Sequence, residues 1–204
     1  MSGPTVVIVP GLRGIAPEHW QERYAARVSD AVTVPFPAVD DWHDLAARSD
    51  LIDDTVRSVN GSVILVAHSA GVLAVVHWAR GRAAGQGPDG QDSAGGAVAR
   101  VAGALLVTPP DFGVDWPQPH PRPAELSARG WEPISRRRLP FPSILAVSRD
   151  DPLARYRTGA GLAEVWGSRL VDLGDAGHLN PASGYGEWPM LEPLLTELSS
   201  RVVG

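Results

Sequence analysis

A chain of 204 residues with 44% hydrophobic and 20% charged residues has an ordinary globular composition and the length of one domain with a sizeable core. A formal net charge of −5 and a pI near 5.6 argue against nucleic acid or an anionic membrane as partner, since neither would gain from counterion release or a basic patch. The absence of cysteine excludes disulfides, a thiolate nucleophile and Cys-ligated zinc, although it does not by itself fix the compartment.

At the N-terminus, Met-Ser-Gly-Pro leads into an apolar run of only five residues, Thr5 to Val9, with no basic segment before it. That run is too short for a signal core, and no apolar stretch approaches the length of a membrane span. The expectation is a soluble, cytoplasmic protein with no membrane partner.

Six short β-rich runs alternate with helical patterns. The predicted strands are Thr5–Val9, Val32–Pro35, Ser62–His68, Val101–Thr108, Ser143–Ser148 and Arg169–Leu173. They are mostly continuous Val, Ile and Leu, as expected of parallel strands covered on both faces. The predicted helices are Glu18–Ser29, His43–Val59, Ala70–Arg82, Arg155–Trp166 and Trp188–Val202. The second carries an apolar face at near-helical spacing: Leu45, Leu51, Ile52, Val56 and Val59. The alternation predicts a single α/β domain over residues 1–204, a three-layer α/β/α sandwich with a mainly parallel sheet of about six strands.

Two segments break the rhythm. Gly81–Val98 is rich in Gly, Ala, Gln, Asp and Ser, and reads as a solvated surface insertion. Pro109–Pro142 holds nine prolines and two tryptophans with little periodicity, so it reads as a long loop of the kind that often serves function. No internal repeat interrupts the chain.

The chemistry starts at Ala67-His68-Ser69-Ala70-Gly71, between an apolar strand and a helical pattern. A lone match of small-x-Ser-x-Gly is weak, because these residues are common. A strand, a tight turn and a helix in this order make it the nucleophile elbow of α/β-hydrolases, with Ala67 in place of the usual first glycine. Such a turn holds the serine Oγ above the sheet and offers helix N-terminal N–H groups to a developing oxyanion.

Serine needs a base, and the base needs an orienting acid. His178, in Leu173-Gly-Asp-Ala-Gly-His-Leu-Asn180, follows the last predicted strand and is the best base candidate. Asp151, in Ser148-Arg-Asp-Asp-Pro-Leu153, is the best acid; it is preferred over Asp150 because it stands directly before Pro152. Asp175 reads as a turn residue. Ala70 N–H is one expected oxyanion donor, and Leu12 N–H, in the glycine-containing loop Val9-Pro-Gly-Leu-Arg-Gly14, is the other. His19, His43, His68, His77 and His120 show no metal-ligand spacing, so no metal is expected. Packing is the better reading for the seven tryptophans, with Trp20, Trp78 and Trp166 in helical patterns and Trp42, Trp116, Trp131 and Trp188 in loops or at helix starts.

Several separated pieces carry a resemblance: Val7-Ile-Val-Pro-Gly11, Glu18-His-Trp-Gln21, the Ser69 elbow, Leu139-Pro-Phe-Pro142, Ser148-Arg-Asp-Asp-Pro152 and Gly177-His-Leu-Asn-Pro-Ala-Ser-Gly-Tyr-Gly-Glu-Trp-Pro189. Together they resemble the small YdeN-type serine hydrolases, the group that includes retinoblastoma-binding protein nine. The resemblance implies a compact α/β-hydrolase fold without a large lid, a Ser69, Asp151 and His178 triad, and esterase-like activity on small acyl substrates. The residues and the resemblance together predict a cofactor-independent carboxylesterase. Two other readings stay open: a protein-interaction module on the same scaffold, with the Pro/Trp loop as partner surface, and amide or thioester hydrolysis at the same serine.

Overall fold

The computed structural model describes residues 3–37, 42–83 and 96–200. Its elements in chain order are β1 (Thr5–Val9), α1 (Trp20–Arg27), β2 (Val32–Thr33), α2 (Leu45–Ser58), β3 (Val63–His68), α3 (Ala70–Ala83), β4 (Val101–Val107), a single-turn α4 (Pro123–Leu126), β5 (Ser143–Val147), α5 (Tyr156–Trp166), β6 (Arg169–Asp172) and α6 (Leu191–Ser200). The six strands form one all-parallel sheet in the order β2-β1-β3-β4-β5-β6.

The continuous apolar strands follow from burial on both faces. Val7, Val9, Leu65, Ala67, Leu106, Leu145 and Val147 point to one side, where α2, α3 and α5 cover them. Val6, Ile8, Ile64, Val66, Leu105 and Ile144 alternate to the other side, under α1 and α6. This is a three-layer α/β/α arrangement.

Local chemistry sets the helix ends. Helix α1 is shorter than the predicted 18–29 because the His19 side chain caps it, accepting from Gln21 N–H, and Val28 is already extended. Asp44 caps α2 by accepting from Ala46 and Ala47 N–H, and Gly167, at φ 70°, stops α5 in a left-handed turn. Strand β2 is shorter than predicted, two residues at the sheet edge.

The 81–98 insertion falls largely outside the described residues: 81–83 finish α3, and Ala97–Arg100 form a 3-10 turn into β4. The 109–142 loop contains α4 and a following turn through Trp131. It is tied down through two buried residues of its own, Asp111 and Trp131. Asp111 accepts from Arg155 at 2.7 Å and Thr158 at 2.7 Å, and Trp131 Nε1 donates to His43 O at 2.8 Å. Trp131 and Trp188 are buried like Trp20, Trp78 and Trp166, which agrees with packing as their role. Among the described residues no helix is long and apolar enough to cross a membrane, and no group of His, Cys, Asp and Glu could hold a metal ion.

The strand order positions the site. From β1 the chain moves outward to β2, then returns to lay β3 on the other side of β1. The loops after β1 and β3 therefore leave the sheet in opposite directions, and a crevice opens between them at the carboxyl ends of the strands. Gly11–Gly14 and Ser69 border that crevice.

Candidate active site

Ser69 sits between β3 and α3 at φ 56°, a left-handed conformation that a serine adopts only when its surroundings impose it. Its N–H donates to Val107 O at 2.9 Å, continuing the β3–β4 ladder, and its carbonyl accepts from Val72 N–H at 3.0 Å, opening the helix. Ala67 is fully buried within β3, paired to Val9 and Leu106, so alanine fits where a glycine is usual. Gly71 has no such latitude: a Cβ there would lie 2.5 Å from Pro10 O and 2.6 Å from Val9 O. Thr108 and Leu179, at φ 46° and 48°, are further non-glycine residues in left-handed conformation, the one with its hydroxyl 3.5 Å from His178 O and the other next to His178 in the chain.

His178 arrives on the loop after β6. Asp150 and Ser148 hold that loop: Gly177 N–H donates to Asp150 Oδ1 at 2.7 Å, and Ala176 N–H to Ser148 Oγ at 3.1 Å. His178 N–H donates to Ser183 Oγ at 3.0 Å. Asp151, in the loop after β5, faces the ring, with Nδ1 at 3.0 and 2.9 Å from its two carboxylate oxygens. Only a protonated Nδ1 satisfies a carboxylate, which leaves Nε2 as an acceptor. Nε2 lies 2.9 Å from Ser69 Oγ. The structure thus brings together the three side chains expected from the sequence, and gives Asp150 and Asp151 different tasks.

His68 lies behind this group. Its Nε2 donates to His178 O at 2.9 Å, and its ring centroid is 4.9 Å from that of His178 and 4.7 Å from that of His19. Burial, then the His178 charge, hold His68 well below the usual imidazole range and bring His19 down to about 4, so both are neutral at neutral pH.

Ala70 is the first residue of α3, where N–H groups lack partners in the preceding turn. Leu12 is fixed by a residue that the sequence reading did not single out. Arg48 of α2, only 5% exposed, donates from Nη1 to Gly11 O at 3.2 Å, from Nη2 to Leu12 O at 2.6 Å and from Nε to Trp42 O at 2.9 Å. Burial brings its guanidinium down to about 10, which keeps it charged at neutral pH. In a trans peptide the C=O and N–H point oppositely. Drawing Gly11 C=O towards Arg48 therefore turns Leu12 N–H away from α2. The sequence signal was present: Leu45, Arg48, Ile52 and Val56 share the spacing of one helix face, so a cation interrupts an apolar stripe.

Replacing Arg48 by methionine leaves buried carbonyl oxygens without donors and is expected to cost about 2–4 kcal/mol of stability. Arg48→Lys recovers only part, because one ammonium cannot reproduce the guanidinium fork. The check is urea unfolding: the midpoint falls in the order wild type, lysine, methionine, at constant m.

A cleft of about 360 Å³ opens over Ser69, bordered by Leu12, Arg13, His19, His120, His178 and Asn180 among others. The arrangement provides a hydroxyl beside an imidazole acceptor, a buried carboxylate behind it and backbone donors in front. Such a set can perform nucleophilic substitution at an acyl carbon.

A family profile described as serine hydrolase matches residues 6–197. Among solved structures, a YdeN-like hydrolase from Pectobacterium atrosepticum is 28% identical, with a TM-score of 0.74 over 98% of this chain and 92% of that one. The ydeN gene product of Bacillus subtilis, 17% identical, aligns over 97% of this chain and 99% of that one with a TM-score of 0.62. A thermophilic esterase from Thermogutta terrifontis, 14% identical, aligns over 97% and 91% with a TM-score of 0.61. The last two likenesses are of fold alone. No curated protein sequence matches the chain.

Proposed function

Because the chain belongs to the serine hydrolase family, we propose that it is a carboxylesterase acting on small acyl esters through Ser69, His178 and Asp151. The observation that carries this reading is the unbroken run of contacts from Ser69 Oγ to His178 Nε2 at 2.9 Å and from His178 Nδ1 to Asp151 at 2.9 and 3.0 Å. Ser69 Oγ attacks the ester carbonyl carbon as His178 Nε2 takes its proton. The carbonyl oxygen becomes an oxyanion between Ala70 and Leu12 N–H. Collapse breaks the C–O bond, His178 returns the proton to the leaving alcohol, and an acyl-Ser69 ester remains. Water then attacks this ester by the same steps, releasing the acid and restoring Ser69. Asp151 keeps the ring in the Nδ1–H tautomer and stabilises the imidazolium. Every proton moves between groups already in the site, so the scheme needs no cofactor.

The test is labelling of the wild-type protein with a fluorophosphonate, followed by peptide mass analysis, alongside hydrolysis of p-nitrophenyl acetate, butyrate and octanoate. The expected result is one adduct, on the peptide carrying Ser69, with turnover of the short esters. Folded protein that takes up no label would remove this reading in favour of an interaction module on the hydrolase scaffold. Labelling at Ser69 without ester turnover would point to amide or thioester substrates.

A further inference from the structure

Arg13 is the arginine that lines the cleft over Ser69, and it does so without a counter-charge. Arg23, Arg82, Arg149, Arg155 and Arg169 each pair with a carboxylate. Among the described residues Arg13 has no ion pair; its Nη2 lies 3.1 Å from His120 Nδ1, at the edge of the cleft over Ser69. That contact requires Nδ1 to accept, so His120 is a neutral ring carrying its proton on Nε2. It steadies the guanidinium without neutralising it, and adds a donor of its own. Burial, then the charges of Arg13 and His178, lower the His120 imidazole, consistent with the neutral ring.

Among the described residues no other part of the cleft supplies a negative charge to balance Arg13. Among the described residues no carboxylate lines it, and the Asp151 side chain is 1% exposed behind His178. Burial keeps His19 and His68 neutral. Asn180 points the same way: its Oδ1 is occupied by Ser183 N–H at 3.0 Å and Ser183 Oγ at 3.1 Å, which leaves its amide N–H groups as donors. Among the described residues, Leu12 and Ala16 are the only lining side chains that are apolar beyond glycine, so a long acyl chain or aromatic ring would bury little against these walls. The lining is thus rich in donors, singly cationic and poor in apolar area.

We propose that the esters taken by this site carry a carboxylate, and that Arg13, steadied by His120 and joined by Asn180, is the subsite that binds it. The proposal rests on the ester-hydrolase reading above. It covers two sources of the same charge: the acyl part, as in a dicarboxylic acid monoester, or the departing alcohol.

The experiment measures kcat/KM for two matched pairs, monomethyl glutarate against methyl hexanoate and 3-acetoxybenzoate against its methyl ester. Each pair is run with wild type, Arg13→Gln and Arg13→Glu, and each protein is also labelled with a neutral fluorophosphonate. In at least one pair, the preference for the charged member is expected to fall about 10-fold in Arg13→Gln, chiefly through a higher KM, and further in Arg13→Glu. The pair that responds identifies which side of the ester carries the charge. In wild type the preference should shrink as salt rises. Labelled proteins whose preferences agree within about twofold across all variants, in both pairs, would overturn the anion subsite alone, since a charged contact at this site is worth more than that. Wild-type protein that is not labelled would overturn the hydrolase reading, and the subsite with it.

Discussion

Asp151→Asn is expected to lower ester turnover by about 10⁴-fold while the protein stays folded. The asparagine is isosteric and keeps an oxygen for Leu153 N–H, which Asp151 Oδ1 accepts at 2.8 Å. The loss arises at the ring. A neutral amide leaves the imidazolium without a counter-charge, and an amide N–H facing Nδ1 turns Nδ1 into the acceptor. The proton then sits on Nε2, 2.9 Å from Ser69 Oγ, where it cannot accept the serine proton. Asp150→Asn is the control. Asp150 accepts from Ser148 Oγ and Gly177 N–H and supports the His178 loop without touching the ring, so its loss is expected to be about 10-fold or less. Steady-state kinetics with p-nitrophenyl acetate and circular dichroism of both variants provide the check. Equal losses in the two variants would make Asp151 a loop support like its neighbour.

Gly71→Ala is the second large effect. The added Cβ would run into the Val9–Pro10 backbone, at 2.5 Å from Pro10 O, 2.6 Å from Val9 O and 3.1 Å from Pro10 C. No side chain can swing away, so α3 or the Pro10–Leu12 loop must move. Overpacking of this kind costs about 1–3 kcal/mol, and displacing catalytic donors by an ångström costs about 100-fold in rate. The expected outcome is a folded protein with a lower urea midpoint and kcat/KM down about 100-fold. Gly81→Ala lies in the same helix with nothing within 4 Å of its Cβ. It should gain roughly 0.5–1 kcal/mol, because helix-interior glycine is entropically costly. A Gly71→Ala protein as active as wild type would mean that the elbow can separate from the β1 loop without consequence.

The legibility of this protein varied with the range of the interactions involved. Strands were plain because both faces of a parallel sheet are apolar, and all six predicted runs overlap a strand of the sheet. Their ends were less plain: His19 caps α1 through its own ring, a role that periodicity does not reveal. Ser69 was readable because a tight elbow demands small neighbours, and Asp151 because it precedes proline. Arg48 was missed because its partners, Gly11, Leu12 and Trp42, are carbonyl groups, which leave no mark in the identity of the residues that carry them. Arg13 and His120 were missed as a pair because 107 positions separate them.

The sequence by itself determined the α/β class, the alternation of buried strands and helices, and the residue types able to activate a serine. Those properties depend on local pattern and on chemistry carried by single side chains. Only the tertiary structure decided which strands are neighbours, that the β1 and β3 loops open a crevice at Ser69, that His178 turns to Asp151 rather than Asp150, and that Arg13 enters the cleft without a counter-charge. These are distances between segments far apart in the chain, set by packing an open parallel sheet between two helical layers.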